Sequence, residues 1–321
     1  MWQKIIERIK KTSPVRYALI LSKKLIIPGF DSIPLFDVGK FFFRGIMKSS
    51  ITLRASAISF NMFMALFPAV IFLFTLIAYI PIENFQVILL KNISQVVPES
   101  AHKLVYSTLE DIVNRQRGGL LSLGFILAFI FSTNGIMSLM AAFNSTYHHI
   151  ETRSLLWQYI VSFFLVIILS LLVILSVSLI IFGADLLGYL MGLLKFSSAL
   201  TVKLLFMTKW ILIIFSIFLA TSLIFYVAPA KKTSFRFISA GSTLTTLLFI
   251  ITSVAFNYYI NNFAQYNKLY GSIGTLLVLM FWIYINSIVI LIGFELNASI
   301  KHAQKTSGRM QRLLRRKNLK S

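Results

Sequence analysis

Six separate stretches of this chain are each long and apolar enough to cross a lipid bilayer. That limits the fold more than any motif does. A helix needs about 20 mostly apolar residues to span the hydrocarbon core. Backbone amides at that depth are satisfied only inside a helix or a closed barrel. The stretches run over 57–80, 120–142, 159–182, 210–228, 238–260 and 271–294. The expected fold class is therefore all-α: a polytopic membrane protein with six transmembrane helices, N-terminal surface helices and outer amphipathic helices. Only 13% of the 321 residues are charged, against about 25% in a soluble domain, which excludes an ordinary soluble enzyme. The chain has no cysteine, so disulfide frameworks and thiolate metal sites are excluded too.

Three parts follow from the pattern: interfacial amphipathic helices over 1–56, the six-helix bundle over 57–294 and a basic tail over 295–321. Residues 1–11 are charged throughout, unlike a signal peptide, which opens into an apolar run and a cleavage site. Trp2, Ile5, Ile6 and Ile9 share one side of a short helix, the pattern of a helix lying on a membrane surface. Val38 to Met47 repeats it, with Phe41, Phe42 and Phe43 among Lys40, Arg44 and Lys48. Lys and Arg in the loops set orientation. Of the 31, 23 fall on the side of both termini and eight on the other. A multi-pass chain with both termini on the cytoplasmic side is expected. Residues 186–208 are also apolar, but a seventh span would place Lys195 near mid-membrane at about 2.5–3.5 kcal/mol and the basic tail outside. A hairpin or interfacial helix is the better reading. In the long 81–119 connection, Phe85, Ile88, Leu89, Ile93 and Val96 recur at helical spacing. Leu104, Val105, Thr108 and Ile112 do so again after Pro98. Two amphipathic helices on the outer face are expected there.

Polar side chains inside lipid face a partner helix or a wet cavity. In the fifth span Ser239, Ser242, Thr243, Thr246, Ser253 and Asn257 fall within about 100° on a helical projection, with Thr245 and Thr252 on the flank. Such a stripe lines a polar path, or it lets helix backbones approach closely. In the sixth span Thr275, Asn286, Gly293 and Asn297 lie within about 40°, and Glu295 sits at the cytoplasmic end. Glu295 is a candidate for proton or ion coupling, or an interfacial partner for Lys or Arg. Asn134 in the second span points inward, and Asn61 in the first is followed by Pro68. Pro68 removes a helix hydrogen bond and frees the Met64 carbonyl, a device for opening a binding site and also a plain structural kink. The candidate substrate path is Asn61, Pro68, Asn134, Ser239, Ser242, Thr246, Ser253, Asn257 and Asn286. No metalloprotease, serine-hydrolase or phosphate-loop motif is present. Adjacent His148 and His149 diverge on a helix, which is poor geometry for joint metal ligation. No catalytic residue, metal or cofactor is expected.

Several short stretches, taken in order, resemble one family. Arg54-Ala-Ser-Ala-Ile-Ser-Phe through Ala65-Leu-Phe-Pro68 opens the series, and Asn144-Ser-Thr-Tyr147 with Arg153 follows the second span. Tyr226-Val-Ala-Pro229 ends the fourth. Tyr270-Gly271-Ser-Ile-Gly274 enters the sixth, which closes on Gly293-Phe-Glu295-Leu-Asn297. Over residues 40–300 the chain resembles the bacterial YihY/BrkB family of inner-membrane proteins (virulence factor BrkB, formerly labelled ribonuclease BN). Phe294 departs from it, since a small Ala is common there, as does Ser272. The resemblance implies six helices with both ends inside. It is usually taken to imply transport, with some members tied to serum resistance or envelope lipids. The expected function is a membrane transporter or flippase for an amphiphilic, anionic envelope lipid or related solute. The expected partners are anionic membrane lipids, with no specific nucleic acid. The alternative is a non-transporting scaffold or sensor acting through the basic tail. A ribonuclease ranks last, because no acid–base or metal constellation is written in the chain.

Overall fold

A computed structural model describes residues 21–23, 25–26, 29–30, 33–48, 50–77, 117–146, 151, 153–193, 198–230, 238–263 and 272–318. The surface helix expected at 1–11 and the outer amphipathic helices expected within 81–119 lie outside the described residues.

Seven helices make up the described chain: α1 (Leu35–Lys48), α2 (Ile51–Ile77), α3 (Gly118–Thr146), α4 (Leu155–Leu193), α5 (Ser198–Val227), α6 (Ala240–Phe263) and α7 (Ser272–Asn318). Among them six are long and apolar enough to cross a membrane, over Ile51–Leu73, Gly118–Thr146, Leu155–Ser176, Met207–Val227, Ala240–Ile260 and Leu276–Ser307. The protein is an all-α, multi-pass membrane protein, and the six expected spans are all present. The doubtful 186–208 stretch adds no seventh span. Its first part lengthens α4 to 39 residues and its last part begins α5.

Two boundaries move outward from the apolar runs. α2 begins at Ile51, so Arg54 lies in its first turn. α7 continues without a break through the basic segment to Asn318, so residues 295–318 are an extension of the last span. Pro68 is buried inside α2, which stays helical on both sides of it.

Neighbours in sequence are neighbours in space. α2 packs on α3, α3 on α4, α4 on α5, α5 on α6 and α6 on α7, and α7 returns to α2 and closes the circuit. α7 also touches α3 and carries α1 along its extension. The core is concentrated at the end where α1 docks. Ile58, Leu139, Met140, Phe143, Leu165, Leu291 and Phe294 are all buried there. Phe143 stacks on Phe294 at 3.9 Å between ring centroids, and Phe225 closes edge-on to both at 5.7 and 5.6 Å. Three helices thus meet in one aromatic plug. Phe294, the departure from the family pattern, is its centre.

The amphipathic α1 docks through Val38 and Phe41, which join Phe30, Ile33, Ile300 and Ala303 in a second small core. Its Phe43 and Met47 stay exposed on the far side, beside the exposed Lys40 and Arg44, as a helix at a lipid interface requires. Ser50, in the left-handed region at φ 46°, turns the chain directly into α2.

Candidate functional site

At the α1 end three polar clasps tie the helix ends together. The first joins α3 to the segment after α5. The Asn144 amide donates to Glu151 and its oxygen accepts from the Ala230 backbone N–H at 2.9 Å. Arg153 donates through Nε and Nη2 to the two Glu151 carboxylate oxygens, each at 2.9 Å, and from Nη2 to the Ala228 carbonyl at 2.8 Å. These bonds from Arg153 hold the Glu151 carboxyl below the usual carboxylate range. A bidentate Arg–carboxylate pair is among the stronger side-chain contacts.

The second clasp joins α6 to α7. Ser239 caps α6, its Oγ accepting from the Ser242 N–H at 3.1 Å while Ser242 Oγ accepts from the Ser239 N–H at 3.2 Å. Reciprocal capping of this kind satisfies orphan amides at a helix start. Asn297 completes the set: Oδ1 accepts from the Gly241 N–H at 2.8 Å and Nδ2 donates to Ser239 Oγ at 3.0 Å. One turn back, Gly293 lies directly against Thr245 and the Gly241 carbonyl, with no room for a side chain.

The third clasp joins α2 to α3. Arg54 Nη1 donates to the Ala142 carbonyl at 2.6 Å and to the Thr146 and Ser145 hydroxyls at 2.7 and 3.1 Å. A cation at the α3 C-terminus also meets the negative end of the helix dipole. Glu295, 5% exposed, lies within Coulombic range of Arg54 and presses its carboxylate against Gly45 of α1.

Nearer mid-depth the polar groups are sparser. Asn61 donates to the Ala57 carbonyl at 3.0 Å and across to Ser138 Oγ at 2.8 Å. Asn286, 8% exposed, donates to the Trp282 carbonyl at 2.8 Å, which turns Oδ1 into the bundle. That oxygen is buried without a hydrogen-bond partner, as is Ser222 Oγ. Asn134 is half-buried. Along α6 the stripe divides. Ser242 and Thr246 are buried, Ser253 is half-buried, and Thr243 and Asn257 are exposed. Thr246 and Ser253 donate to the carbonyls four residues earlier, at 2.9 and 2.7 Å.

A family model described as virulence factor BrkB matches residues 42–317. The chain belongs to the BrkB family. It is 33% identical over 252 residues to YfkH of Bacillus subtilis, a protein named, provisionally, as ribonuclease-like; the match covers 78% of this chain and 90% of that one. A UPF0761 membrane protein of Idiomarina loihiensis is 25% identical over 69% of this chain and 74% of its own length. Another from Haemophilus influenzae is 23% identical over 84% and 96%. No solved structure matches.

Most BrkB-family residues singled out in the sequence come together at the α1 end. Asn144, Arg153 and the segment after Tyr226, with Pro229 buried in it, form the first clasp. Gly293 and Asn297 form the second, and Glu295 faces α1 beside the third. Tyr147, Tyr270 and Gly271 lie outside the described residues, and Gly274 is buried near the start of α7. Sequence reasoning passed over Glu151, Gly241 and the central place of Thr245. It quoted Arg54 only as the start of a motif. Glu151 had one available signal: it is the acid two residues before Arg153 in a loop otherwise poor in acids. Among the described residues, no group of three His, Asp or Glu side chains assembles that could hold a metal ion.

Proposed function

We propose that the protein moves an amphiphilic, anionic envelope lipid or a related solute across the cytoplasmic membrane, as a transporter or flippase with the α1 end inside. The observation that carries this reading is the pair of buried atoms without a protein partner, Asn286 Oδ1 and Ser222 Oγ, within a closed circuit of apolar helices. An orphaned buried acceptor costs about 1–3 kcal/mol. A bundle tolerates it where water or cargo supplies the missing bond. Asn61 and Asn134 add further amides along the candidate path, and Glu295 supplies an ionisable group for proton or ion coupling. The excess of Lys and Arg on the α1 side supports its cytoplasmic placement and draws anionic headgroups toward it.

The test is lipid movement in proteoliposomes containing the full-length protein. A headgroup-labelled anionic lipid should exchange between leaflets several-fold faster than in empty vesicles, and Asn286→Leu should slow that exchange while leaving the melting temperature near wild type. Exchange equal to empty vesicles for every anionic lipid tried would end the transport reading. The α6 hydroxyls favour a second reading, a non-transporting scaffold, because Thr246 and Ser253 bond their own helix instead of facing a conduit. Stoichiometric co-purification of a partner, together with absent lipid exchange, would support it.

A further inference from the structure

The guanidinium of Arg54 is only partly used. Nη1 is committed to the end of α3, whereas Nε and Nη2 are buried and have no hydrogen-bond partner. Those two nitrogens form the side-on edge of the guanidinium, the edge that accepts two oxygens of one oxyanion in parallel. A buried, unmatched guanidinium edge is costly, and here its partner edge is rigidly held by three acceptors on another helix. The fork is therefore oriented in advance. Its depth selects the oxyanion. Arg54 stands in the first turn of a membrane span, at headgroup level, where phosphate is the abundant oxyanion.

We propose that the Nε/Nη2 edge of Arg54 is a phosphate-binding site, loaded by a lipid headgroup or by free phosphate, with Glu295 as the resident anion that the phosphate displaces. The inference deepens the transport reading and rests on it for its role, by naming where an anionic cargo is first held. Glu295 is placed for that competition, buried in Coulombic range of Arg54 and packed against Gly45. The fork is shielded in this conformation, so loading it is coupled to loosening of the α1 end.

Binding tests the site independently of transport. Full-length protein in detergent is titrated with dioctanoyl phosphatidic acid, with dioctanoylglycerol, which differs only in lacking the phosphate, and with inorganic phosphate, and its melting temperature is followed. Phosphatidic acid should stabilise the protein and dioctanoylglycerol should not. A response to inorganic phosphate alone would assign the site to the free ion, and a response to phosphatidic acid alone to a headgroup. Arg54→Lys keeps a cation for α3 but loses the fork, and affinity should drop about tenfold, the worth of one charge-assisted hydrogen bond. Glu295→Gln keeps the fork and removes the competing charge, so affinity should rise several-fold even if the lysine variant does not fold. Equal stabilisation by the two lipids, unchanged affinity in Arg54→Lys, or unchanged or weaker affinity in Glu295→Gln would each overturn the site. Lipid exchange in proteoliposomes is read in parallel. Phosphate binding without exchange would sink the transport reading and keep the site; exchange that survives Arg54→Lys at wild-type rate would sink the site's role as the first hold on the cargo and keep the transport reading.

Discussion

The two ends of the bundle are built differently. At the α1 end, three phenylalanines from three helices interlock and every span contributes to a clasp or to the core around it. Toward the other end, α4 and α5 run on together. Among the described residues a hydrogen bond between two serines, Ser176 and Ser216, at 2.7 Å joins them there. Leu171, Val173, Ile174 and Leu175 of α4 are exposed, as side chains facing lipid should be. Between helices in lipid the hydrophobic effect supplies no net attraction, so close packing and interhelical hydrogen bonds do the joining. Among the described residues the interhelical hydrogen bonds are concentrated at the α1 end. The family motifs that lie among the described residues mostly fall there too, which makes them the instructions for joining helix ends. Far from α1, α2 and α3 still pack closely, with Gly124 against the Phe72 backbone, so the looser joining among the described residues is that of α4 and α5.

The largest expected effect comes from glycine at the tight end. A Cβ on Gly293 would sit 2.7 Å from the Gly241 carbonyl oxygen and closer still to the Thr245 hydroxyl. The Gly241 carbonyl is backbone and cannot swing aside. Gly293→Ala should cost about 3 kcal/mol, at the upper end of overpacking penalties, and lower the yield of monodisperse protein. Gly119, at the other end of the bundle, has nothing within 4 Å of an added Cβ. Gly119→Ala should stay within about 0.5 kcal/mol of wild type. Equal melting temperatures for the two variants in the same detergent would remove the contrast between the ends.

The Asn144 clasp comes next. Asn144→Ala strips a partner from the Ala230 N–H and one from Glu151, a loss of about 1–3 kcal/mol. The pair Glu151–Arg153 adds a pH signature. Because Arg153 lowers the folded carboxyl's pKa, its contribution is complete above about pH 4.3, the unfolded value, and fades as pH falls through the folded one. Wild-type melting temperature should therefore decline on acidification through that window. Glu151→Gln should start lower at neutral pH and lack that part of the decline. An identical acid profile in the variant would show that the clasp adds nothing to stability.

How much of this was legible follows from the range of each interaction. The six spans were readable because hydrophobic length is a local property, and the family resemblance was readable because short motifs kept their order. Helix ends were less so. Arg54 looks too polar for a span until α3 offers the Ala142 carbonyl and the Ser145 and Thr146 hydroxyls, and the apolar run of the sixth span stops well before α7 does. The meeting of Asn144 with Ala230, or of Asn297 with Gly241, joins positions 86 and 56 residues apart. Nothing in either segment alone announces such a partner. The fifth-span stripe shows the opposite failing. Its residues divide between inside and outside: Thr246 and Ser253 bond back to their own carbonyls, and Thr243 and Asn257 are exposed. Thr245, read as flank, is the residue on which Gly293 packs.

The smallest effect belongs to the loosely joined end. Ser176 Oγ donates to the Leu172 carbonyl at 2.6 Å and meets Ser216 Oγ at 2.7 Å, while Ser216 has the Leu212 carbonyl at 2.7 Å as well. Removing either hydroxyl leaves the other with a partner on its own helix, so no orphan is created. Ser176→Ala should cost about 0.6 kcal/mol, the average for an interhelical hydrogen bond in a membrane protein. Ser216→Ala added to it should cost little more, because the shared bond is already gone. The matched quantity is the loss in Asn144→Ala, where the Ala230 N–H loses its Asn144 acceptor while Glu151 keeps only Arg153. If Ser176→Ala destabilises as much as Asn144→Ala in the same melt, α4 and α5 are held as firmly as the clasped end, and the contrast between them loses its physical basis.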